Sequence, residues 1–114
     1  MTEYVTYRRW QLKEDAIEAA LVALVRDEIA PAYRTQPGCN RLELLLVTSE
    51  DTRSYLAITH WRSRAHFDAW AGEGGQTWRD NYRTTLERWL QMMTFEEEFA
   101  AEQVISLQLA TAEK

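Results

Sequence analysis

The chain predicts an α+β domain of the ferredoxin-like, split βαβ type: an antiparallel sheet with helices on one face. Three observations carry that expectation. Segments of period-2 alternation, rich in aromatic and β-branched residues, occur at 3–12, 39–48 and 53–61. Two stretches with apolar residues at helical spacing lie between and after them. The resulting order, β-α-β-β-α-α-β, is the split βαβ arrangement.

Each element has its own signal. Residues 3–12, EYVTYRRWQL, place Tyr4, Thr6, Arg8, Trp10 and Leu12 on one side and Val5, Tyr7, Arg9 and Gln11 on the other. Residues 13–30 predict a helix. Ile17, Leu21, Leu24, Val25 and Ile29 recur at helical spacing, Glu14 and Asp15 suit a first turn, and Pro31 ends or kinks it, with Ala32 to Thr35 as an irregular extension. Pro37-Gly38 marks a turn. Residues 39–48 then put Leu42, Leu44 and Leu46 on one face, and Ser49 to Thr52 form a polar hairpin connection. In residues 53–61, Tyr55, Ala57, Thr59 and Trp61 oppose Leu56, Ile58 and His60.

Ser63 is a candidate N-cap for a short helix over 63–72, with Phe67 and Trp70 sharing a face. Gly72, Gly74 and Gly75 break that helix, as a hinge able to gate a pocket mouth. A longer helix is expected over 76–93, striped by Trp78, Tyr82, Leu86, Trp89, Leu90 and Met93. Thr94 with Glu97 has capping-box spacing and predicts a further turn through Phe99. The last strand is expected at 103–109, QVISLQL.

One layer of helices cannot cover both faces of such a sheet. Tyr7, Leu45, Val47, Tyr55 and Trp61 leave the second face partly apolar, unless the faces are reversed. A homodimer packed sheet against sheet would resolve this.

At 114 residues, 46% hydrophobic and 27% charged, one domain spanning 1–114 is expected. The net charge of -5 and the scattered basic residues argue against nucleic acid as a partner. No apolar run approaches a membrane span, no signal-peptide core is visible, and the single cysteine, Cys39, forms no internal disulfide. The expected location is the cytoplasm. Cys39 reads as a buried, inert thiol. Two histidines without a Cys or carboxylate cluster make a metal site unexpected.

The order of elements, together with Pro37-Gly38-Cys39 before the second strand and Trp61-Arg62-Ser63 after the third, resembles the antibiotic biosynthesis monooxygenase domain of the dimeric α/β-barrel superfamily. The resemblance covers nearly the whole chain by topology and residues 36–70 by motif. It implies a dimeric α/β barrel and a ligand held between helices and sheet. It also implies either oxidation of an electron-rich aromatic by O₂ without flavin or metal, or binding and breakdown of haem. Carried over, the pocket walls would be Trp61, Phe67, Trp70, Trp78 and Tyr82. Ala57 and Phe67 stand where quinone-forming members have asparagine and tyrosine. Trp70 matches the helix tryptophan of haem-degrading members, Asp80 stands in place of their histidine ligand, and Arg8 or Arg9 falls near their first-strand asparagine.

These readings converge on a monooxygenase without a bound cofactor, acting on a small aromatic or polycyclic substrate. His60 or His66 would deprotonate the substrate, and the carbanion would react with O₂. The plainer readings are a strand-end histidine for His60, core packing for Trp61 and Trp70, and salt bridges for Arg8 and Arg9, one of which must point inward. Haem binding or degradation, and a non-catalytic ligand-binding dimer, are the alternatives.

Overall fold

Four strands form one antiparallel sheet in the computed structural model, which describes residues 3–49 and 53–110. They are β1 (Tyr4–Leu12), β2 (Cys39–Leu46), β3 (Ser54–Trp61) and β4 (Met93–Glu102), in the order β2-β3-β1-β4. The helices cover one face, giving the expected ferredoxin-like α+β fold. The sheet is open and does not close into a barrel within the chain. No helix among the described residues is long and apolar enough to cross a membrane. Of the polar connection at 49–52, residues 50–52 lie outside the described residues.

The helical segment after β1 starts later than its pattern implies and continues past Pro31 as the irregular extension over Ala32 to Thr35. Lys13 to Ala16 form a turn, and α1 occupies Glu18–Leu24. A π-helical turn follows at Val25–Ile29, and α2 at Ala30–Arg34. Pro31 therefore sits inside the helical segment rather than ending it. It has no N–H to donate to the preceding turn, and the wider π turn just before it accommodates that loss.

Beyond β3, α3 spans Arg64–Ala71, with the Ser63 hydroxyl accepting from the His66 N–H at 3.3 Å as its N-cap. A 3₁₀ turn at Glu73–Gly75 leads into α4 (Gln76–Asn81) and α5 (Arg83–Met92). The single helix expected over 76–93 is thus broken at Tyr82, whose backbone leaves the helical region at φ -111°, ψ 23°.

The last strand corrects the sequence expectation. The capping-box turn at Thr94–Phe99 does not form, and β4 pairs with β1 over Met93–Glu102. Residues 103–110 have no regular structure. Three consecutive glutamates favour helix locally, but β1 presents Arg8 and Arg9 to them. Arg9 pairs with Glu97 at 3.1 Å and Arg8 with Glu98 at 3.5 Å. A register shift between Arg9 and Trp10 absorbs Glu96 and brings Phe95 opposite Trp10. Cross-strand pairing has overridden local propensity.

Under the helices lie two contiguous packed groups. One joins Leu12, Leu21, Leu24, Ile29, Tyr55, Trp89 and Met93, and the other Ala32, Trp61, Trp70 and Trp78. Tyr55 and Trp61 therefore belong to the helix-covered face, not to the second face where they were grouped with Tyr7 and Leu45. The open face carries Tyr7 stacked on Phe99 at 4.8 Å and, on the opposite edge strand, the exposed Leu45.

Candidate functional site

Between the sheet and the helices lies a mostly apolar cavity of about 240 Å³. Its floor is Arg8 and Trp10 of β1, Leu42, Glu43 and Leu44 of β2, and Ala57 and Thr59 of β3, the Glu43 carboxylate being turned to His60 on the open face. Its roof is Val25 and Ile29 of the π turn, Tyr33 of α2, and Leu86, Trp89 and Leu90 of α5. Strand alternation explains the floor: residues two apart on each strand face the same way. The space exists because Ala57 is small at the centre of β3, where larger neighbours would otherwise meet the helices. Trp10 and Trp89 meet edge to face at 5.3 Å and hold one wall rigid.

A more open compartment of about 370 Å³ adjoins it, lined by Trp70, Ala71, Trp78 and Arg79. Arg8, Tyr33 and Leu86 line both compartments and form their junction. The Arg8 guanidinium lies 5.6 Å from the centre of the Trp70 ring. Burial pushes the Tyr33 phenol up to about 12, although the neighbouring Arg8 charge pulls the other way, so Tyr33 is a neutral hydrogen-bonding group.

Of the five aromatic residues expected to wall a pocket, Trp70 and Trp78 line the outer compartment. Trp61, Phe67 and Tyr82 pack behind them. Trp61 is fully buried, with Phe67 at 5.8 Å and Trp70 at 5.4 Å. The Trp78 indole N–H donates to the Ala32 carbonyl at 2.8 Å. The Trp61 and Trp70 indole N–H groups are buried without a partner among the described residues, an exposed cost or an invitation to an acceptor.

The two histidines lie elsewhere. His60 is on the open face of the sheet, opposite to Trp61. Its Nδ1 is 2.8 Å from Glu3 and its Nε2 2.7 Å from Glu43. Burial lowers its pKa, but the two carboxylates outweigh burial and raise it overall. Glu43 is held below its ordinary range, chiefly by its bond to His60. His66, on α3, has Nδ1 2.8 Å from the Ser63 hydroxyl. Neither imidazole lines either compartment.

The arginine pair divides as strand alternation requires. Arg8 points inward and Arg9 outward. Cys39 is half-buried and its thiol is pushed up to about 11 by burial, which keeps it protonated and inert.

The histidine ligand that the haem reading calls for has no counterpart in this cavity. Asp80, at the position of the family's histidine ligand, is on the surface of α4, accepting from Gln76 and Arg83 at 2.9 Å each. No imidazole faces the cavity, and no group of three or more His, Cys, Asp or Glu side chains among the described residues could hold a metal.

Sequence reasoning missed Trp10, Tyr33, Trp89 and the aliphatic floor. Trp10 shared a strand face with Arg8, which was the available signal. Tyr33 was hidden because an irregular extension over Ala32 to Thr35 does not say which way its ring turns.

Residues 3–97 match the family model described as antibiotic biosynthesis monooxygenase. No curated protein sequence matches the chain. Among solved structures, HapK from Hahella chejuensis superposes with a TM-score of 0.70 at 18% identity, covering 95% of this chain and 99% of that one. SnoaB, a cofactor-independent oxygenase from Streptomyces nogalater, gives 0.62 at 19%, covering 99% and 100%. The heme-degrading protein Rv3592 from Mycobacterium tuberculosis gives 0.58 at 20%, covering 94% and 97%. At these identities the likeness to the three structures is one of fold.

Proposed function

This chain belongs to the antibiotic biosynthesis monooxygenase family, and we propose that it is a cofactor-independent monooxygenase acting on a one- or two-ring electron-rich aromatic. The observation that carries this reading is the cavity of about 240 Å³ walled by Trp10, Tyr33 and Trp89. It is larger than the roughly 150 Å³ cavity that takes benzene, and smaller than the pockets of about 300–1,000 Å³ that take drug-sized ligands. The outer compartment with Trp70 and Trp78 gives a second flat surface against which an extended ring system can stack.

For a phenol such as 1-naphthol the chemistry balances without an added reductant. The ionised phenol is electron-rich at the carbon para to oxygen. That carbon forms a bond to one oxygen atom of O₂, giving a hydroperoxide. Loss of the carbon-bound hydrogen as a proton and cleavage of the O–O bond leave a second carbonyl. One oxygen atom enters the quinone and the other departs as water. The protein's part is to hold the ring, exclude bulk water and favour the anion. Since neither His60 nor His66 lines the cavity, this reading uses the substrate's own acidity, with the proton leaving through the outer compartment.

Filling the cavity tests it. With 1-naphthol, the wild-type chain is expected to consume O₂ above the uncatalysed rate and to form one quinone per O₂. Ala57→Phe, which projects a ring into the cavity, is expected to cut that rate at least about tenfold, within the reach of a small misplacement in a positioned site. Circular dichroism should show the fold intact. An O₂ electrode that records only background uptake with 1-naphthol and related one- and two-ring phenols would dismiss the reading.

The same reading makes the chain a homodimer through the sheet. Leu45 of β2 and Phe99 of β4 are exposed on the open face, and Val104, Ile105, Leu107 and Leu109 of the segment after β4 are more than two-thirds exposed. That is more apolar surface than a monomer ordinarily leaves to water. Ile105, Leu107 and Leu109 alternate with Ser106 and Gln108, a strand pattern lying beyond an edge strand. Sedimentation equilibrium should give a mass near twice 13.4 kDa, and a monomer at tens of micromolar would refute this arrangement. One free cysteine and, among the described residues, no helix long and apolar enough to cross a membrane suit a cytoplasmic setting.

A further inference from the structure

We propose that Arg8 is an anion anchor and that the cavity selects planar aromatic ligands carrying a negatively charged oxygen, a carboxylate or a phenolate. This rests on the reading of the cavity as the ligand site and adds the charge class of the ligand. The chain is acidic overall, yet the cationic head that lines both compartments belongs to β1, in the middle of the sheet. Arg79, the other arginine nearby, is already committed: its guanidinium donates to the Trp70 and Gly72 carbonyls at 2.9 and 2.8 Å.

Arg8 is not committed in that way. Among the described residues its guanidinium meets the Trp70 ring face and, through Nε, the Glu98 carboxylate at 3.5 Å. Glu98 is 61% exposed on the edge strand, so water weakens that pair. A guanidinium has five N–H donors in a planar fork matched to carboxylate geometry. Donors therefore remain for a ligand in the cavity, whose mostly apolar lining makes a charge-assisted bond stronger than in open water. The Trp70 ring lies 5.6 Å from the guanidinium carbon. The Tyr33 phenol, neutral and at the same junction, can donate to the second oxygen of the ligand.

The test compares two ligands of one shape by titration calorimetry: 2-naphthoate, which is charged, and 2-naphthamide, which is neutral. Wild type is expected to bind the naphthoate about tenfold more tightly, the scale of one charge-assisted hydrogen-bond pair. Arg8→Met keeps the side-chain length and should bind both ligands equally. Glu98→Gln removes the competing carboxylate outside the cavity. It should tighten naphthoate binding by about two- to fivefold, the scale of an exposed ion pair, and leave the amide unchanged. A purely structural salt bridge would not produce that gain. Should Arg8→Met fail to fold, the Glu98→Gln comparison still decides. Equal affinity of wild type for the two ligands would overturn the anchor while leaving the cavity as a ligand site. Absence of binding by either ligand would overturn the cavity reading and the anchor with it.

Discussion

Replacing Trp61 with alanine is expected to lower the unfolding free energy by about 3–5 kcal/mol, the range for truncating a buried large aromatic. Trp61 is fully buried at the end of β3. It packs on Phe67 and Trp70 of α3, and belongs to the group that includes Ala32 of α2 and Trp78 of α4. Its loss would leave a cavity bounded by three helices and the sheet, and backbone hydrogen bonds prevent those walls from collapsing to fill it. A domain of this size has only about 5–15 kcal/mol of stability in total. The fall in melting temperature should therefore be roughly 10–20 °C. Trp61→Phe should cost much less. It keeps an aromatic ring and removes an indole N–H that has no partner among the described residues, whose burial opposes folding. Urea unfolding of the three chains checks the order. A loss below about 1 kcal/mol for the alanine variant would show that this cluster is not close-packed.

The second large effect belongs to Gly38. Its φ of 83° is the positive value that residues with a Cβ avoid. A Cβ built there would lie 2.4 Å from Cγ and Cδ2 of His66 and 2.7 Å from its Cβ. These are atoms near the root of that side chain, so it cannot swing clear. The carbonyl of Gly38 also accepts from the Arg62 N–H at 2.7 Å, which ties the turn before β2 to the exit of β3. Gly38→Ala is expected to cost about 2–5 kcal/mol, the sum of a left-handed backbone penalty and an overpacking term. Adding His66→Ala separates the two. It should restore the overpacking part and leave the backbone part, giving a coupling of about 1–3 kcal/mol in a double-mutant cycle. Strict additivity would mean that the imidazole does not press on the turn.

That contact gives His66 a place in the fold. The residue holds the N-terminal turn of α3 through Ser63 and seats it over Gly38. His60 has a comparable tie on the open face, between Glu3 and Glu43. As lone histidines near a strand-end tryptophan, both drew attention in the linear chain. Alternation along β3 already set His60 opposite Trp61; what the linear chain left open was which face the helices cover and where the His66 ring of α3 turns.

The ends of β1, β2 and β3 were legible because each carries a complete alternating pattern bounded by turn chemistry. The Ser63 cap and the Gly72–Gly75 break were legible for the same local reason. β4 was not. Its sequence, MTFEEEFAAE, has two aromatic residues but a run of glutamates that belongs by propensity to a helix. The ladder with β1 makes that run a strand, through its backbone pairing, the Tyr7–Phe99 and Trp10–Phe95 ring contacts, and Arg8 and Arg9, which are 88 to 90 residues away in the chain from the glutamates they pair with. The apolar 103–109 segment, which looks more like a strand by itself, follows β4 directly and forms no regular structure.

The candidate site divides along the same line. The amino-acid sequence by itself determined the family, the α+β class, the inward turn of one residue of the arginine pair, and the presence of enough aromatic surface for a flat ligand. Those follow from periodicities and short motifs, which act over a few residues. The tertiary structure alone decided which tryptophans fill the core and which face an open volume. It put Trp61 in the packing, Trp10 and Trp89 on the cavity wall, and Arg8 at the junction of the two compartments. A cavity is a deficit of atoms among elements distant in sequence, so no local pattern encodes it. Here it depends on the small Ala57 of β3 meeting the π turn before Pro31 and the helix carrying Trp89.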